Sequence, residues 1–307
     1  MKEFAEKFER DVEIALKDMG LEPFYTMRET VKKANRTYEA LTIMPEGGNL
    51  GINIDLSTAY EQWKMGMSYW GLVEDNAEMV NYYLHHKPDI NPDMNLSFEA
   101  VRDSLMVQLV SAEENEELLD FVPYTPLLDM AVIYRVMSSD EYSILITDGI
   151  FKEMGISLDE LHAVALENSA RMRPARIDRI QTVLDAMRRE DIYIPEFLEP
   201  ERDMHIATNS MKYCGAAVLA YPGFLKSAAD YLDSSFYILP SSIHELILVP
   251  DGSAMPAVRL KGMVTAINAA EVDPADKLTD NVYHYDRESG ILEYGETYEA
   301  RAEGRMI

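Results

Sequence analysis

The sequence predicts an α+β fold, with antiparallel or mixed sheets, flanking helices and two lobes. Three observations predict it. Strand-like runs come in pairs joined by turn residues, capped helical segments stand between the pairs, and 307 residues is about two domains' worth of chain. Apolar residues make up 47%, enough to fill a core, so the acidic composition belongs to the surface of a folded chain.

Phe4, Phe8, Val12, Ala15, Leu16 and Met19 recur at helical spacing, and Gly20 follows where a helix ends, which predicts a helix over 3–19. Residues 37–44 and 49–56 are β-rich and flank Pro45, Glu46, Gly47 and Gly48, the pattern of a hairpin. Ser57 is expected to cap the next helix, and another is expected over 73–86 after Gly71. Residues 98–105 read as helix and 106–110 as extended. Residues 128–137 and 142–147 form an antiparallel pair across Ser138, Ser139 and Asp140. Ser157 and Glu160 stand as a capping box opening a helix of about fifteen residues.

Pro195 and Pro200 mark the expected boundary between an N-terminal domain, 1–196, and a C-terminal domain, 197–295. In the second, strands are expected at 205–208, 216–220, 236–239 and 243–249, and helices at 222–232 and 256–270. A closing hairpin, 282–285 with 291–294, turns through Asp286, Arg287, Glu288, Ser289 and Gly290. Residues 296–307 read as a frayed tail.

The chain carries 54 acidic and 28 basic side chains, a net charge of −26. Such a surface repels phosphate backbones and anionic lipid, so direct nucleic-acid binding and membrane association are not expected. The longest nearly apolar run, 214–225, is short of the roughly 20 residues that span a bilayer, and the first residues lack the continuous apolar stretch of a signal peptide, so export is not expected. Cys214 is the only cysteine, so no internal disulfide forms, and a reducing cytoplasm is expected. Residues 51–150 hold 18 acidic and 4 basic groups, a net of −14, peaking at Glu113, Glu114, Glu116 and Glu117. That segment reads either as a solvated acidic face that keeps the protein soluble or as a docking face for a basic protein partner, and a nucleic-acid mimic in defence or counter-defence is a further alternative. Between 171 and 189 six arginines face two acids; Arg173, Arg176 and Arg179, spaced three apart, would align on a helix as an anion site.

Catalytic motifs fail one at a time. Gly47, Gly48 and Gly51 make neither a phosphate loop nor a dinucleotide fingerprint, and Leu248 stands where a zinc-protease motif beginning at His244 and Glu245 needs its second histidine. No metal site and no cofactor are expected. The densest polar cluster is Pro240, Ser241, Ser242, Ile243, His244 and Glu245. Ser242, His244 and Glu245 supply hydroxyl, imidazole and carboxylate, the groups of a hydrolase-like relay or ligand site, while turn formation and a bridging histidine are the structural explanation. Ser241, Asn209 and Asn268 are ligand-binding candidates at element ends, and Cys214 is a nucleophile candidate set in an apolar run.

The stretches SILITDGIFKEMGISLDELHAVALENSARMRP, TNSMKYCGAAVLAYPGFL, FYILPSSIHELILVPDG and NVYHYDRESG resemble those of an uncharacterised domain-of-unknown-function family of Clostridia-type gut bacteria and their mobile elements. The PSSIHE segment carries the resemblance most specifically. It implies a bacterial cytosolic protein encoded among accessory genes and carries over no catalytic role. From the residues, the leading expectation is a non-enzymatic protein-interaction or regulatory module.

Overall fold

The computed structural model describes residues 1–46, 51–86, 95–138, 143–182, 185, 204–240, 242–252 and 255–304. The chain divides into two compact units, Met1–Asn95 and Leu96–Ile307. The boundary expected near 196 falls outside the described residues, and the strands on either side of it pair in one sheet. No helix among the described residues is long and apolar enough to cross a membrane.

In the first unit, α1 (Lys2–Asp18) buries Phe4, Phe8, Val12 and Leu16, one stripe at fourfold spacing, and Gly20 at φ 82° ends it. Strands β1 (Phe24–Lys33), β2 (Arg36–Pro45) and β3 (Ile52–Asp55) form an antiparallel sheet in that order, covered by α2 (Leu56–Lys64) and α3 (Tyr69–His85). The sequence reading missed β1, whose residues mix Arg28, Glu29, Lys32 and Lys33 with apolar ones. The signal was Asn35, which turns the β1–β2 hairpin at φ 60°, a conformation asparagine tolerates. Asp55, not Ser57, caps α2, accepting from the Thr58 amide at 2.8 Å, and Ser68 caps α3 through the Gly71 amide at 3.2 Å.

The second unit opens with α4 (Phe98–Val101) and holds two antiparallel sheets. One is built on β6 (Met130–Met137), which pairs with β4 (Leu105–Ser111), β5 (Tyr124–Leu127) and β7 (Ser143–Leu145). A short helix, α5 (Glu116–Leu119), follows β4, and α6 (Asp148–Met154) leads into α7 (Leu158–Met172). Ser157 caps α7 through the Glu160 amide, as its motif predicts. Helix α7 lies on β4, where the buried Ser169 hydroxyl accepts from the Val107 amide at 2.9 Å.

The other sheet runs in the order β13 (Leu292–Tyr294), β12 (Tyr283–Tyr285), β10 (Phe236–Leu239), β11 (Leu246–Pro250), β9 (His205–Asn209), β8 (Ala175–Arg179). A 3₁₀ helix (Gly215–Ala220) replaces the strand expected at 216–220. It runs so close to β9 and to His244 that a Cβ on Gly215 would come within 2.0 Å of Thr208 Oγ1 and 2.4 Å of the His244 carbonyl. Next come α8 (Phe224–Leu232) and α9 (Ala257–Ala270). The expected frayed tail is instead α10 (Gly295–Ala302), where Glu299 Oε1 accepts both the Tyr237 hydroxyl and the Ala257 amide at the start of α9.

Candidate functional site

The polar segment singled out in the sequence lies in the approach to β11, whose strand begins only at Leu246. The His244 amide donates to Ser242 Oγ at 3.1 Å, closing a tight turn. The imidazole is engaged on both edges. Nδ1 accepts the Cys214 backbone amide at 3.1 Å, which places the proton of the neutral ring on Nε2, 3.4 Å from Asp276 Oδ1. Tyr213 leans on the ring at 5.4 Å between centroids. Neither nitrogen is left to take a proton from Ser242. Glu245 is not the carboxylate that holds the ring; burial pushes its own carboxyl up, against the pull of His244 and Lys212. Ser241 lies outside the described residues.

The remaining candidates have definite places. Asn209 closes the 209–213 turn, donating to the Tyr213 carbonyl and accepting the Met211 amide. Asn268, on α9, donates to the Thr279 carbonyl and to Asp280 Oδ1, while its own Oδ1 is buried with no partner among the described residues. Glu113, Glu114, Glu116 and Glu117 are exposed around α5, and the first two add to the field on Lys277, whose ammonium pKa the Asp280 hydrogen bond raises most.

The three arginines do not share a helix. Pro174 disfavours helical backbone at Arg173, so α7 ends at Met172 and Arg176 and Arg179 pass to β8, an exposed edge strand. Arg173 stays behind, buried. Its Nη2 lies 3.9 Å from the Met137 sulfur on β6. On the same strand Arg135 donates to Ser143 Oγ at 2.7 Å and Gln108 Oε1 at 3.3 Å, both neutral. Burial pulls the Arg135 guanidinium down from its ordinary value, against the Cys214 and Tyr213 side chains beside it. Burial likewise pushes the Cys214 thiol up to about 11, and the two arginines only moderate the rise. A thiol in that range is protonated near neutral pH and a poor nucleophile. The sequence reading missed Arg135, although a lone cation inside the apolar run of β6 was its signal.

On the first unit, α2, α3 and their connection expose a different surface. The chain's two tryptophans lie here, Trp63 and Trp70, with Met65 77% exposed and Trp70 59% exposed, and Met67 open beside them. Trp63 stacks on Phe4 at 5.3 Å, and the exposed Glu3 and Glu6 flank Phe4 on α1. Glu61 stands on α2, and Glu74 one helical turn after Trp70.

Among the described residues no group of three His, Cys, Asp or Glu is arranged to hold a metal ion. No curated protein and no solved structure matches the chain significantly. The model of a family of unknown function, DUF5688, matches residues 1–287, and the chain belongs to that family.

Proposed function

We propose that the protein works by binding rather than catalysis, as an interaction module that docks a basic amphipathic helix of a partner protein on its first unit. The observation that carries this reading is the exposure of Trp63, Met65, Met67 and Trp70 within eight residues. Isolated apolar side chains are ordinary on a surface, but tryptophan and methionine gathered in one segment suit a helix-binding face. Glu3, Glu6 and Glu74 around it, in a chain of net charge −26, favour lysine and arginine on the occupant, while Glu61 is paired with Lys64. The hydrolase-like alternative loses support because Ser242 and His244 spend their polar atoms on the turn and on Cys214 and Asp276.

Fluorescence reads this face directly, because no tryptophan lies elsewhere. A tryptophan-free amphipathic helix of leucine and lysine is expected to shift the emission to the blue, with an affinity that falls as salt rises. A leucine and glutamate helix of the same pattern is expected to leave it unchanged. Equal responses to the two peptides, or none to either, would contradict the proposal.

A further inference from the structure

We infer that Arg135 and Arg173, in the second unit, form an anion site that takes a phosphate group, free or on a small monoester. Arg173 is only 9% exposed, and the Met137 thioether is the one hydrogen-bonding partner of its side chain among the described residues. Arg135 lies two positions before Met137 on β6, so those two side chains leave the same face of the strand about 7 Å apart. Arg173 reaches Met137 on that face from the end of α7, and the fields of both arginines meet at Cys214.

Exposed arginines fall on both sides: Arg102, Arg171, Arg176, Arg179 and Arg259 meet no carboxylate among the described residues, where water can solvate them. Arg28, Arg36, Arg287 and Arg301 are well exposed, and each meets a carboxylate. Water would have served those four adequately. Arg135 and Arg173, where a counter-charge matters most, meet none among the described residues. The chain has nearly twice as many acidic as basic side chains, so carboxylates were not scarce. Two charges drawn out of water that meet no carboxylate among the described residues fit an anion that arrives from outside.

The chemistry selects its class. A guanidinium presents parallel N–H donors that fit phosphate or carboxylate oxygens in pairs. Two of them carry two positive charges, which a phosphate dianion balances at one centre while a single carboxylate leaves one uncompensated. Cys214 and Tyr221 lie within the field of Arg173, and Cys214 within that of Arg135. Tyr213, beside Arg135, is exposed to solvent. The site shares no residue with the aromatic face of the first unit, so either proposal can fail alone.

Calorimetric titration of the full chain with inorganic phosphate tests the inference, with succinate and sodium chloride as comparison titrants. One phosphate per chain is expected. Arg173→Met, which keeps the apolar contact with Met137 and removes the fork, should weaken binding at least about tenfold. Arg176→Met, on the exposed edge strand, should leave it unchanged. Cys214 gives a second reading that needs no variant: as the only thiol, its labelling rate should fall when phosphate neutralises the arginines that favour the thiolate. Equal binding by wild type and Arg173→Met, a response to succinate in place of phosphate, or no phosphate effect on either heat or labelling would overturn the assignment. Should Arg173→Met fail to fold, Arg135→Gln takes its place with the same expectation.

Discussion

Asp129, just before β6, and Arg135, towards the other end of that strand, are charged groups drawn partly out of water by the same sheet, yet the fold treats them differently. Asp129 accepts from the Thr279 hydroxyl and Asn281 amide at 2.8 Å each and from the Tyr283 hydroxyl at 2.5 Å, which fastens the β5–β6 hairpin to the segment entering β12. Its charge is met by donors from one stretch of chain. Arg135 meets three neutral acceptors, the Ser143 hydroxyl and carbonyl and Gln108 Oε1, and Arg173 meets a thioether. Burial is stabilising where polar groups are satisfied and costly where charge is left uncompensated. The contrast separates groups retained for folding from groups retained for a ligand.

The largest effect expected from that contrast is at Asp129. Asp129→Ala strands three donors and should cost about 3 kcal/mol in urea unfolding; a loss below about 1 kcal/mol would erase the difference between the two ends of β6. Glu299→Ala comes next, at about 2 kcal/mol, because it strips Tyr237 of its acceptor and α9 of its cap. Glu299→Gln, which keeps an acceptor oxygen, should recover most of that loss.

A smaller effect should appear in acid. The hydrogen bond with the fully buried His284 holds the Asp251 carboxyl below its ordinary value of 3.8, with the Tyr298 hydroxyl adding to it. A depressed carboxylate contributes stability that is present above the ordinary value and lost as pH falls through the depressed one. Wild type should therefore lose stability below about pH 4, and Asp251→Asn should flatten that part of the curve. The smallest change expected is at Arg173: without an anion, Arg173→Met should lie within about 1 kcal/mol of wild type or above it, since it removes a buried charge that no carboxylate among the described residues meets.

Much of the fold could be read from local signals. Gly20 stops α1, Ser157 and Glu160 open α7, and the Asp286 to Gly290 turn joins β12 and β13, because caps and tight turns are decided within four or five residues. The errors fall where distant partners decide. Tyr298 and Glu299 look like tail residues until His284 and Tyr237 are placed beside them. His244 looks poised for chemistry until the Cys214 amide and Asp276 occupy its ring. The arginine spacing implied one helical face, whereas Pro174 sends Arg173 inward and Arg176 and Arg179 to an edge strand. Arg135 was visible as a misfit in β6, but only the fold shows that no carboxylate among the described residues comes to meet it.

Urea unfolding of wild type and Arg173→Met, each with and without saturating phosphate, tests most directly whether the buried arginines are held for an anion. The order of stability should reverse. Without phosphate the variant should equal or exceed wild type, and with phosphate wild type should be the more stable by about 2 kcal/mol or more, as expected for a ligand that binds only the folded state. A variant less stable than wild type by the same margin in both conditions would make Arg173 a structural residue and contradict the assignment.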